Sequence, residues 1–473
     1  MEGFRISLLI VTLCCHSTLS LFNVYPPIHK IPIEGNPGEP LFVTPLLEAG
    51  KIDEARTKAL VNPPLPGVED VVSYSGYFTV NKKCNSNLFF WFFPAQVGYK
   101  TAPVLLWLQG GPGATSLFGL FTENGPLMVL KGQKLAKRKY TWSKTHSVLY
   151  IDNPAGTGFS FTDDDAGYAR NQSDVARDLY SALQQFFTLF PDLQKNEFFV
   201  TGESYAGKYV PAISYKIHTE NPAAKLKINF QGMAIGNGLM DPEHMLHYGD
   251  YLYQLGIIDS NARDFFHTKE QEGATAIKNG DWEKAFEVFD TLLNGDLTPY
   301  PSFFRNVTGF DFYFNYLHNS DPAAAHPSSD FSTLVQRADI RRSIHVGDRP
   351  FGGMSAKLVE QHLQLDVMKS VRPWVEALIE KYRVVIYNGQ LDIIVAYPLT
   401  LGALQALEWS GAADYKTASR HQWYVGKQLA GYSKTVGHLT EVLVRNAGHM
   451  VPGDQPRWAL DLISRFTANK PFH

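Results

Sequence analysis

The chain has 473 residues, of which 44% are hydrophobic and 19% are charged, and 43 basic residues against 46 acidic ones give a net charge of −3. This composition excludes a globally disordered chain, and the balanced charge leaves no concentrated positive field for binding nucleic acid. The three cysteines are too few for a disulfide-built scaffold or for a metal site with four thiolate ligands. The length suggests about three domains at roughly 150 residues each, although one large α/β domain is compatible with it.

Residues 1–20 have the pattern of a secretory signal peptide, with Arg5 ahead of a short apolar run and the small residues Thr18 and Ser20 near its end. A membrane anchor is the alternative, but the apolar run has about ten residues whereas a membrane span needs roughly 20. No later segment is predicted to span a membrane. We therefore expect a protein of the secretory pathway, either secreted or lysosomal.

Signal removal would take Cys14 and Cys15 away and leave Cys84 as the only cysteine, so no disulfide is expected within the chain. The sequons that begin at Asn171 and Asn306 are predicted glycosylation sites in a secretory protein.

Residues 21–70 are rich in Pro and Gly and are predicted to form an N-terminal arm with a short helical patch near residues 53–60. Continuous apolar runs then recur, as is typical of strands buried on both faces. They lie at residues 104–108, 148–151, 198–200, 228–235, 384–387 and 442–444. Apolar residues at spacings of three and four over 175–190 predict a helix between two of these strands, with Ser173 as its N-cap. This alternation predicts an α/β protein with a mostly parallel sheet.

The strand pattern is absent from about residue 241 to 345, where helices are predicted around residues 261–266 and 285–293. We interpret this stretch as a helical cap inserted between two halves of one sheet; an independent domain is the alternative. The predicted organisation is therefore a signal peptide (1–20), an arm (21–70), the first part of the core (71–240), a cap (241–345) and the second part of the core (346–473).

The segment Gly202-Glu203-Ser204-Tyr205-Ala206-Gly207 lies between a predicted strand and a predicted helix. Small residues around a serine at such a junction let the backbone turn sharply and project the hydroxyl above the sheet, as in a nucleophile elbow. Because a serine hydroxyl is barely ionised at neutral pH, it requires a general base. In this architecture an acid and then a histidine follow later in the chain.

Asp392 and His449 meet this expectation, because each follows a predicted strand. His449 would take the Ser204 proton and return it to the leaving group, while Asp392 would orient the imidazole. Asp366 and Asp454 remain alternatives to Asp392.

The Gly110-Gly111-Pro112-Gly113 loop follows another strand. Its backbone at Gly111 and that of Tyr205 are the predicted N–H donors to an oxyanion. The chemistry requires no metal and no cofactor.

Together these motifs resemble the serine carboxypeptidases, an α/β-hydrolase family of secretory and lysosomal exopeptidases. The resemblance covers nearly the whole chain after the arm, from residues 74–77 through 107–113, 152–160, the Ser204 elbow and 235–238 to 448–452. Gln109 and the Asp152-Asn153-Pro154 segment look most like the vitellogenic-like carboxypeptidase subgroup.

The resemblance implies a peptidase that acts on peptide or protein C-termini through an acyl-enzyme. It also implies that the terminal carboxylate of the substrate binds Gln109, the backbone of Gly110, Glu123 and Glu203. Two glutamates beside a third carboxylate cannot all stay ionised, so the pKa of at least one glutamate is expected to be raised. We therefore expect activity that favours mildly acidic pH.

Two departures from the family pattern stand out. The family usually has Asn at the position of Gln109 and often Cys at the position of Ala114, and most members carry several disulfides. Packing is therefore expected to hold the cap here.

Two alternative functions remain: an acyltransferase or esterase on the same scaffold, and an inactive secreted binding protein. The oligomeric state is left open.

Overall fold

The computed structural model describes residues 31–295, 300–322, 330–352 and 354–472. The predicted signal peptide and the first ten residues of the predicted arm, 21–30, lie outside the described residues.

Ten strands form one large sheet, and two more form a hairpin. The strands are β1 (Tyr74–Asn81), β2 (Ser86–Phe93), β3 (Val104–Leu108), β4 (Leu127–Leu130), β5 (Lys134–Lys137), β6 (Ser147–Ile151), β7 (Phe198–Glu203), β8 (Phe230–Gly236), β9 (Arg383–Gly389), β10 (His421–Val425), β11 (Gln428–Val436) and β12 (Leu439–Val444). In the large sheet their order is β1-β2-β6-β3-β7-β8-β9-β12-β11-β10, and β4 pairs with β5.

The six central strands, in the spatial order β6-β3-β7-β8-β9-β12, run parallel to one another. The two strands on each side, β1 and β2 and β11 and β10, run antiparallel to their neighbours. The predicted α/β class with a mostly parallel sheet is therefore confirmed. Strands β3, β6 and β7 are buried along their whole length, which is why they read as continuous apolar runs. Apolar side chains fill a core on each face of the sheet.

The helices surround this sheet. They are α1 (Thr44–Glu48), α2 (Ile52–Ala59), α3 (Gln172–Leu189), α4 (Ala206–Glu220), α5 (Tyr248–Gln254), α6 (Ser260–Lys278), α7 (Trp282–Phe289), α8 (Phe303–Thr308), α9 (Phe331–Val335), α10 (Ala338–Ser343), α11 (Met354–Val367), α12 (Arg372–Ile379), α13 (Tyr397–Ala406), α14 (Ala412–Thr417), α15 (Val451–Asp454) and α16 (Pro456–Thr467). The described residues also form two π-helical turns, Gly119–Glu123 and Asp290–Asn294, and several short 3-10 helices.

The helix predicted from the pattern at residues 175–190 is α3, but its N-cap is Asn171 and the prediction of Ser173 is wrong. The Asn171 side chain accepts a hydrogen bond from the N–H of Asp174 at 3.0 Å. Asn and Ser are both good N-caps, so the choice between them depended on where the backbone turns rather than on residue type.

Helices α5 to α12 lie between β8 and β9, and the described residues from 241 to 345 contain no strand. The insertion contacts the core through polar groups as well as by packing. The hydroxyls of Tyr248 and Tyr251 donate to the carbonyls of Ile394 (2.8 Å) and Asp392 (2.9 Å). Cys84 is buried with a free thiol. The domain boundaries at residues 70, 240 and 345 remain predictions.

Candidate active site

The side chains singled out by the sequence come together at the carboxyl edge of the parallel strands, where α/β sheets place their sites. Gln109 follows β3, Ser204 follows β7, Asn237 follows β8, Asp392 follows β9 and His449 follows β12.

Ser204 occupies a sharp turn between β7 and α4. Its φ of 66° lies in the left-handed region, a strained conformation for a serine. The Ser204 carbonyl accepts hydrogen bonds from the N–H groups of Gly207 (2.9 Å) and Leu239 (3.1 Å). A Cβ at Gly202 would lie 2.6 Å from the Leu108 carbonyl oxygen, so this position requires glycine.

Nucleophile elbows commonly have the pattern Gly-x-Ser-x-Gly; this chain has Ala206 at the last position of that pattern, so an interpretation of residues 202–206 as Gly-x-Ser-x-Gly is wrong. The second glycine of the segment is Gly207, where a Cβ would lie 2.6 Å from the carbonyl carbon of Gly238. Gly207 thus allows the start of α4 to lie against the loop that follows β8, and the elbow forms with alanine at the intervening position.

His449 and Asp392 form a fully buried pair. Nδ1 of His449 lies 2.8 Å from Oδ2 of Asp392, which is the orientation that a general base requires. Among the described residues, no hydrogen bond reaches Nε2 of His449, so its expected bond to Ser204 is not formed here. Such bonds are commonly long in free enzymes and tighten when substrate binds.

Asn237 is a site residue to which the sequence analysis gave no role. Its Nδ2 donates to Oδ2 of Asp392 at 2.7 Å, and its Oδ1 accepts from the N–H of Gly389 at 3.1 Å. Asn237 has a φ of 40°, and asparagine tolerates this left-handed region better than most residues. An Asn-Gly pair at the end of a buried strand was the available signal.

Phe314 is a second residue that the sequence analysis missed. Its ring stacks on the His449 imidazole with centroids 4.7 Å apart and planes 15° from parallel. Its carbonyl accepts from the His449 N–H at 2.7 Å. A Cβ at Gly448 would lie 2.2 Å from that carbonyl oxygen, so glycine is required beside the histidine. Phe314 belongs to an aromatic-rich segment of the insertion, residues 303–316, and this segment thus holds His449 in place.

The two alternative acids lie elsewhere. Asp366 pairs with Lys208, with Nζ and Oδ2 3.2 Å apart. Asp454 accepts a hydrogen bond from the N–H of Gly448 at 2.6 Å. Of the three aspartates considered, Asp392 is therefore the one paired with His449.

Gly111 and Tyr205, the predicted oxyanion donors, line one cavity together with Ser204. A Cβ at Gly110 would lie 2.4 Å from the Tyr205 nitrogen and 2.7 Å from the Ser204 Cβ. Glycine at this position lets the loop after β3 approach the elbow closely, as a shared oxyanion site requires.

Gln109, Glu123 and Glu203 form a buried cluster next to the elbow. The Gln109 Nε2 group donates to Oε1 of Glu203 at 3.0 Å and to Oε1 of Glu123 at 3.2 Å. Its amide oxygen accepts from the Trp107 indole N–H at 2.8 Å, which fixes which end of the amide faces the acids. The three polar side chains are at most 1% exposed.

Burial makes both acids hard to ionise. It raises the pKa of Glu123 to about 7. Burial first, and then the neighbouring Glu123 charge, raise the pKa of Glu203 well above its ordinary value. The cluster therefore keeps protons at pH values at which ordinary glutamates have lost them.

Asp152, in the segment singled out after β6, organises the loop after β3. Its Oδ1 accepts from the Thr115 hydroxyl (2.6 Å) and the Ser116 N–H (3.0 Å), and its Oδ2 from the Phe159 N–H (2.8 Å). Burial raises the pKa of Asp152 to about 6 in spite of these bonds.

The two sequons lie on or beside helices. Asn306 is exposed on α8, and Asn171, half-buried, precedes α3.

No helix in the described part of the chain is long and apolar enough to cross a membrane. The described residues also contain no group of three or more His, Cys, Asp or Glu side chains suited to a metal ion.

The sheet and the serine, histidine and aspartate at its carboxyl edge define an α/β hydrolase. The chain belongs to the serine carboxypeptidase family, whose family model, described as serine carboxypeptidase, matches residues 63–469. It is therefore a hydrolase that acts on peptides, and the family resemblance drawn from its motifs is confirmed.

Several relatives match over nearly their full length. The venom serine carboxypeptidase of Apis mellifera is 60% identical over 453 residues, covering 95% of this chain and 96% of that protein. The probable serine carboxypeptidase CPVL of Homo sapiens is 49% identical, covering 93% and 92% of the two chains. The vitellogenic carboxypeptidase of Aedes aegypti is 45% identical, covering 99% of each.

Among solved structures, the prohormone-processing carboxypeptidase Kex1 of Saccharomyces cerevisiae superposes with a TM-score of 0.71 at 22% identity, covering 88% of this chain and 96% of that one. At this identity the similarity supports the fold.

Proposed function

We propose that this carboxypeptidase releases single C-terminal residues with a Ser204, His449 and Asp392 triad. Ser204 Oγ attacks the scissile carbonyl while His449 takes its proton and passes it to the leaving amine. The N–H groups of Gly111 and Tyr205 stabilise the oxyanion. A water molecule, activated by His449, then hydrolyses the acyl-enzyme.

We further propose that Gln109, the backbone of Gly110, Glu123 and Glu203 bind the terminal carboxylate of the substrate. The observation that carries this proposal is the cluster geometry: one amide touches both acids, and Glu203 immediately precedes Ser204. A buried acid that keeps its proton donates a hydrogen bond to a carboxylate, whereas an ionised one repels it. This restricts cleavage to the last peptide bond.

The cluster predicts an acid-favouring enzyme. Because the pKa values of Glu123 and Glu203 are raised, the protonated arrangement is present at low pH and is lost as the pH rises through about 7. We expect the KM for a blocked dipeptide acid to rise between pH 5 and 8.

Steady-state kinetics of the wild type and Glu203→Gln test this expectation, with the C-terminal amide of the same dipeptide as the matched substrate. The glutamine donates without titrating, so its KM for the acid should vary less with pH. Equal KM values for the acid and the amide across this range would contradict the proposed carboxylate site.

The cavity beside Ser204 supports an apolar preference at the penultimate substrate residue. Both proposed oxyanion donors line it, and no residue of the carboxylate cluster (Gln109, Glu123 and Glu203) does. We therefore assign the cavity to the acyl side of the scissile bond. Its lining residues are Gly111, Pro112, Ser204, Tyr205, Leu239, Tyr248, Phe289, Asn294, Val367, Ile394 and Val395. Burying a charge against these side chains is costly.

Blocked dipeptides that differ only in the penultimate residue measure this preference. We expect a higher kcat/KM with leucine than with lysine or glutamate, and equal values would count against the assignment.

We also propose that the protein is secreted or lysosomal and glycosylated at Asn171 and Asn306. The Apis mellifera relative is named for venom, and Asn306 is exposed. Expression in cultured animal cells, with N-glycosidase treatment of the wild type, Asn171→Gln and Asn306→Gln, tests both parts. Retention of an unglycosylated protein in the cytosol would contradict them.

A further inference from the structure

A second buried polar cluster surrounds the first turn of α4, directly after Ser204. Lys208 and Asp366 form an ion pair there, with side chains 0% and 5% exposed and Nζ 3.2 Å from Oδ2. Gln172, the first residue of α3, donates from Nε2 to Oδ2 of Asp366 at 2.8 Å and to the Tyr205 hydroxyl at 3.3 Å. One amide thus joins a buried ion pair to the residue that follows the nucleophile.

The Lys208 ammonium also holds the end of α11. It donates to the carbonyls of Asp366 and Val367, the last two residues of that helix. With the carboxylate of Asp366, these bonds use all three ammonium donors, and a cation is favoured at a helix C-terminus. Val367 lines the cavity beside Ser204. The ammonium therefore fixes Val367, which forms part of the cavity wall. It also fixes the carboxylate of Asp366, which Gln172 links to the Tyr205 hydroxyl.

Stability alone is a weak explanation for this cluster. Removing two charges from water is costly, and apolar replacements of buried ion pairs are often neutral or stabilising. Burial lowers the pKa of Lys208 to about 8, so the ammonium stays charged at acidic and neutral pH. The ion pair of Lys208 and Asp366 does hold the Gln172 amide in a single orientation. Apolar side chains, which make no directed bonds, would fix that orientation less well.

Tyr205 is the partner for which orientation matters. Its ring is buried, edge-on to Tyr209 with centroids 5.1 Å apart, and the Lys208 Nζ lies 5.4 Å from the ring centroid. The backbone immediately before it, at Ser204, is strained at a φ of 66°. Such strain persists only where the surroundings hold it, and the anchored tyrosine ring and hydroxyl lie one residue away.

We propose that Lys208, Asp366 and Gln172 are positioning residues for the oxyanion site: through the Tyr205 hydroxyl they hold the backbone N–H of Tyr205 in the direction that the oxyanion requires. The inference rests on the proposed role of Tyr205 as an oxyanion donor. The cluster then acts on the transition state, in which the oxyanion exists, and not on binding of the substrate carboxylate.

Two conservative variants separate this role from a structural one. Gln172→Met keeps the length of the side chain and the Asn171 sequon but removes the amide, and Tyr205→Phe removes only the hydroxyl. Gln184→Met is the matched control, because Gln184 lies on the same helix and donates to the Leu226 carbonyl at 3.1 Å, outside the cluster. Each variant is compared with the wild type by kcat, KM and melting temperature.

We expect Gln172→Met and Tyr205→Phe each to lower kcat roughly 5- to 20-fold with little change in KM, less than the roughly hundredfold or greater loss of a whole oxyanion donor. Gln184→Met should keep the wild-type kcat. Gln172→Met and Tyr205→Phe break the same hydrogen bond between the Gln172 amide and the Tyr205 hydroxyl. The variant that carries both substitutions should therefore be no slower than the slower single variant.

A Gln172→Met variant whose kcat equals that of Gln184→Met, or single effects that multiply in the double variant, would overturn the inference. If Tyr205→Phe does not fold, the comparison of the two glutamine variants still decides the outcome. Ser204→Ala, measured alongside, tests the proposed function separately: activity retained in that variant refutes the triad, whereas a normal kcat in Gln172→Met refutes only the positioning role.

Discussion

At the scale of single residues, Asn237 shows how much of the geometry of the proposed triad depends on a side chain to which the mechanism gives no proton transfer. Oδ2 of Asp392 accepts both the His449 ring N–H and the Asn237 amide. The amide fixes the plane of the carboxyl group of Asp392. Asn237 is itself tied to the backbone N–H of Gly389 at the end of β9. The acid is thus held by the two neighbouring strands β8 and β9.

We predict that Asn237→Gly lowers kcat roughly 10- to 100-fold, because a hydrogen bond to a charged group contributes about 1.5–3 kcal/mol. Glycine removes the side chain without adding strain at the left-handed φ. Asn469→Gly, at another left-handed position with a φ of 51°, is the matched control. Steady-state kinetics check the prediction, and wild-type kcat in a folded Asn237→Gly would show that the amide has no positioning role.

At the scale of elements, the π-helical turn Gly119–Glu123 places Glu123 beside Gln109, which also contacts Glu203. Wide turns of this kind are frequent at functional sites. The turn begins at Gly119, where a Cβ would lie 2.1 Å from the Trp107 indole nitrogen and 2.9 Å from the Gln109 amide oxygen. The absence of a side chain at Gly119 therefore allows the bond between Trp107 and Gln109 to form.

We predict that Gly119→Ala raises the KM for peptide acids roughly tenfold or more, because the displaced indole frees the Gln109 amide from its orientation toward the two acids. The KM for the corresponding C-terminal amides should change little, since those substrates lack the carboxylate. Parallel kinetics on both substrates provide the measurement. Equal changes for the acid and the amide would indicate general damage to the fold instead.

At the scale of the whole molecule, buried carboxyls link stability to pH. The folded protein keeps protons on Glu123 and Glu203 that the unfolded chain releases above about pH 4.5. Burial lowers the pKa of His146 to about 4, so its contribution to stability rises with pH. The two glutamates instead contribute stability that is lost as the pH rises from about 4.5 through 7, because they hold more protons in the folded than in the unfolded chain. Asp152, with its pKa raised to about 6, contributes in the same direction.

We predict that the melting temperature of the wild type drops by roughly a few degrees relative to that of the Glu123→Gln, Glu203→Gln double variant between pH 5 and 7.5. Differential scanning calorimetry at several pH values measures it. A double variant with the same pH dependence as the wild type would contradict the assignment of the raised pKa values.

The parts of this molecule that could be predicted from sequence are those with local signals. Continuous apolar runs marked the central strands, and polar residues within a few positions after those strands gave the proposed triad of Ser204, Asp392 and His449. The roles of Phe314 and Asn237 depend on packing between distant segments. Phe314 belongs to an aromatic-rich stretch whose spacing follows no strand or helix period, and Asn237 acts because β8 and β9 are adjacent in the sheet.

Labelling with a blocked peptide phosphonate that carries a terminal carboxylate tests the proposed nucleophile and the proposed carboxylate site in one experiment, because the reagent engages Ser204 and the cluster of Gln109, Glu123 and Glu203 together. After reaction at pH 5, peptide mapping by mass spectrometry should place one adduct on Ser204, with loss of C-terminal residue release in proportion to labelling. Ser204→Ala should neither react nor release residues. An adduct on another residue, or undiminished release by Ser204→Ala, would contradict Ser204 as the nucleophile.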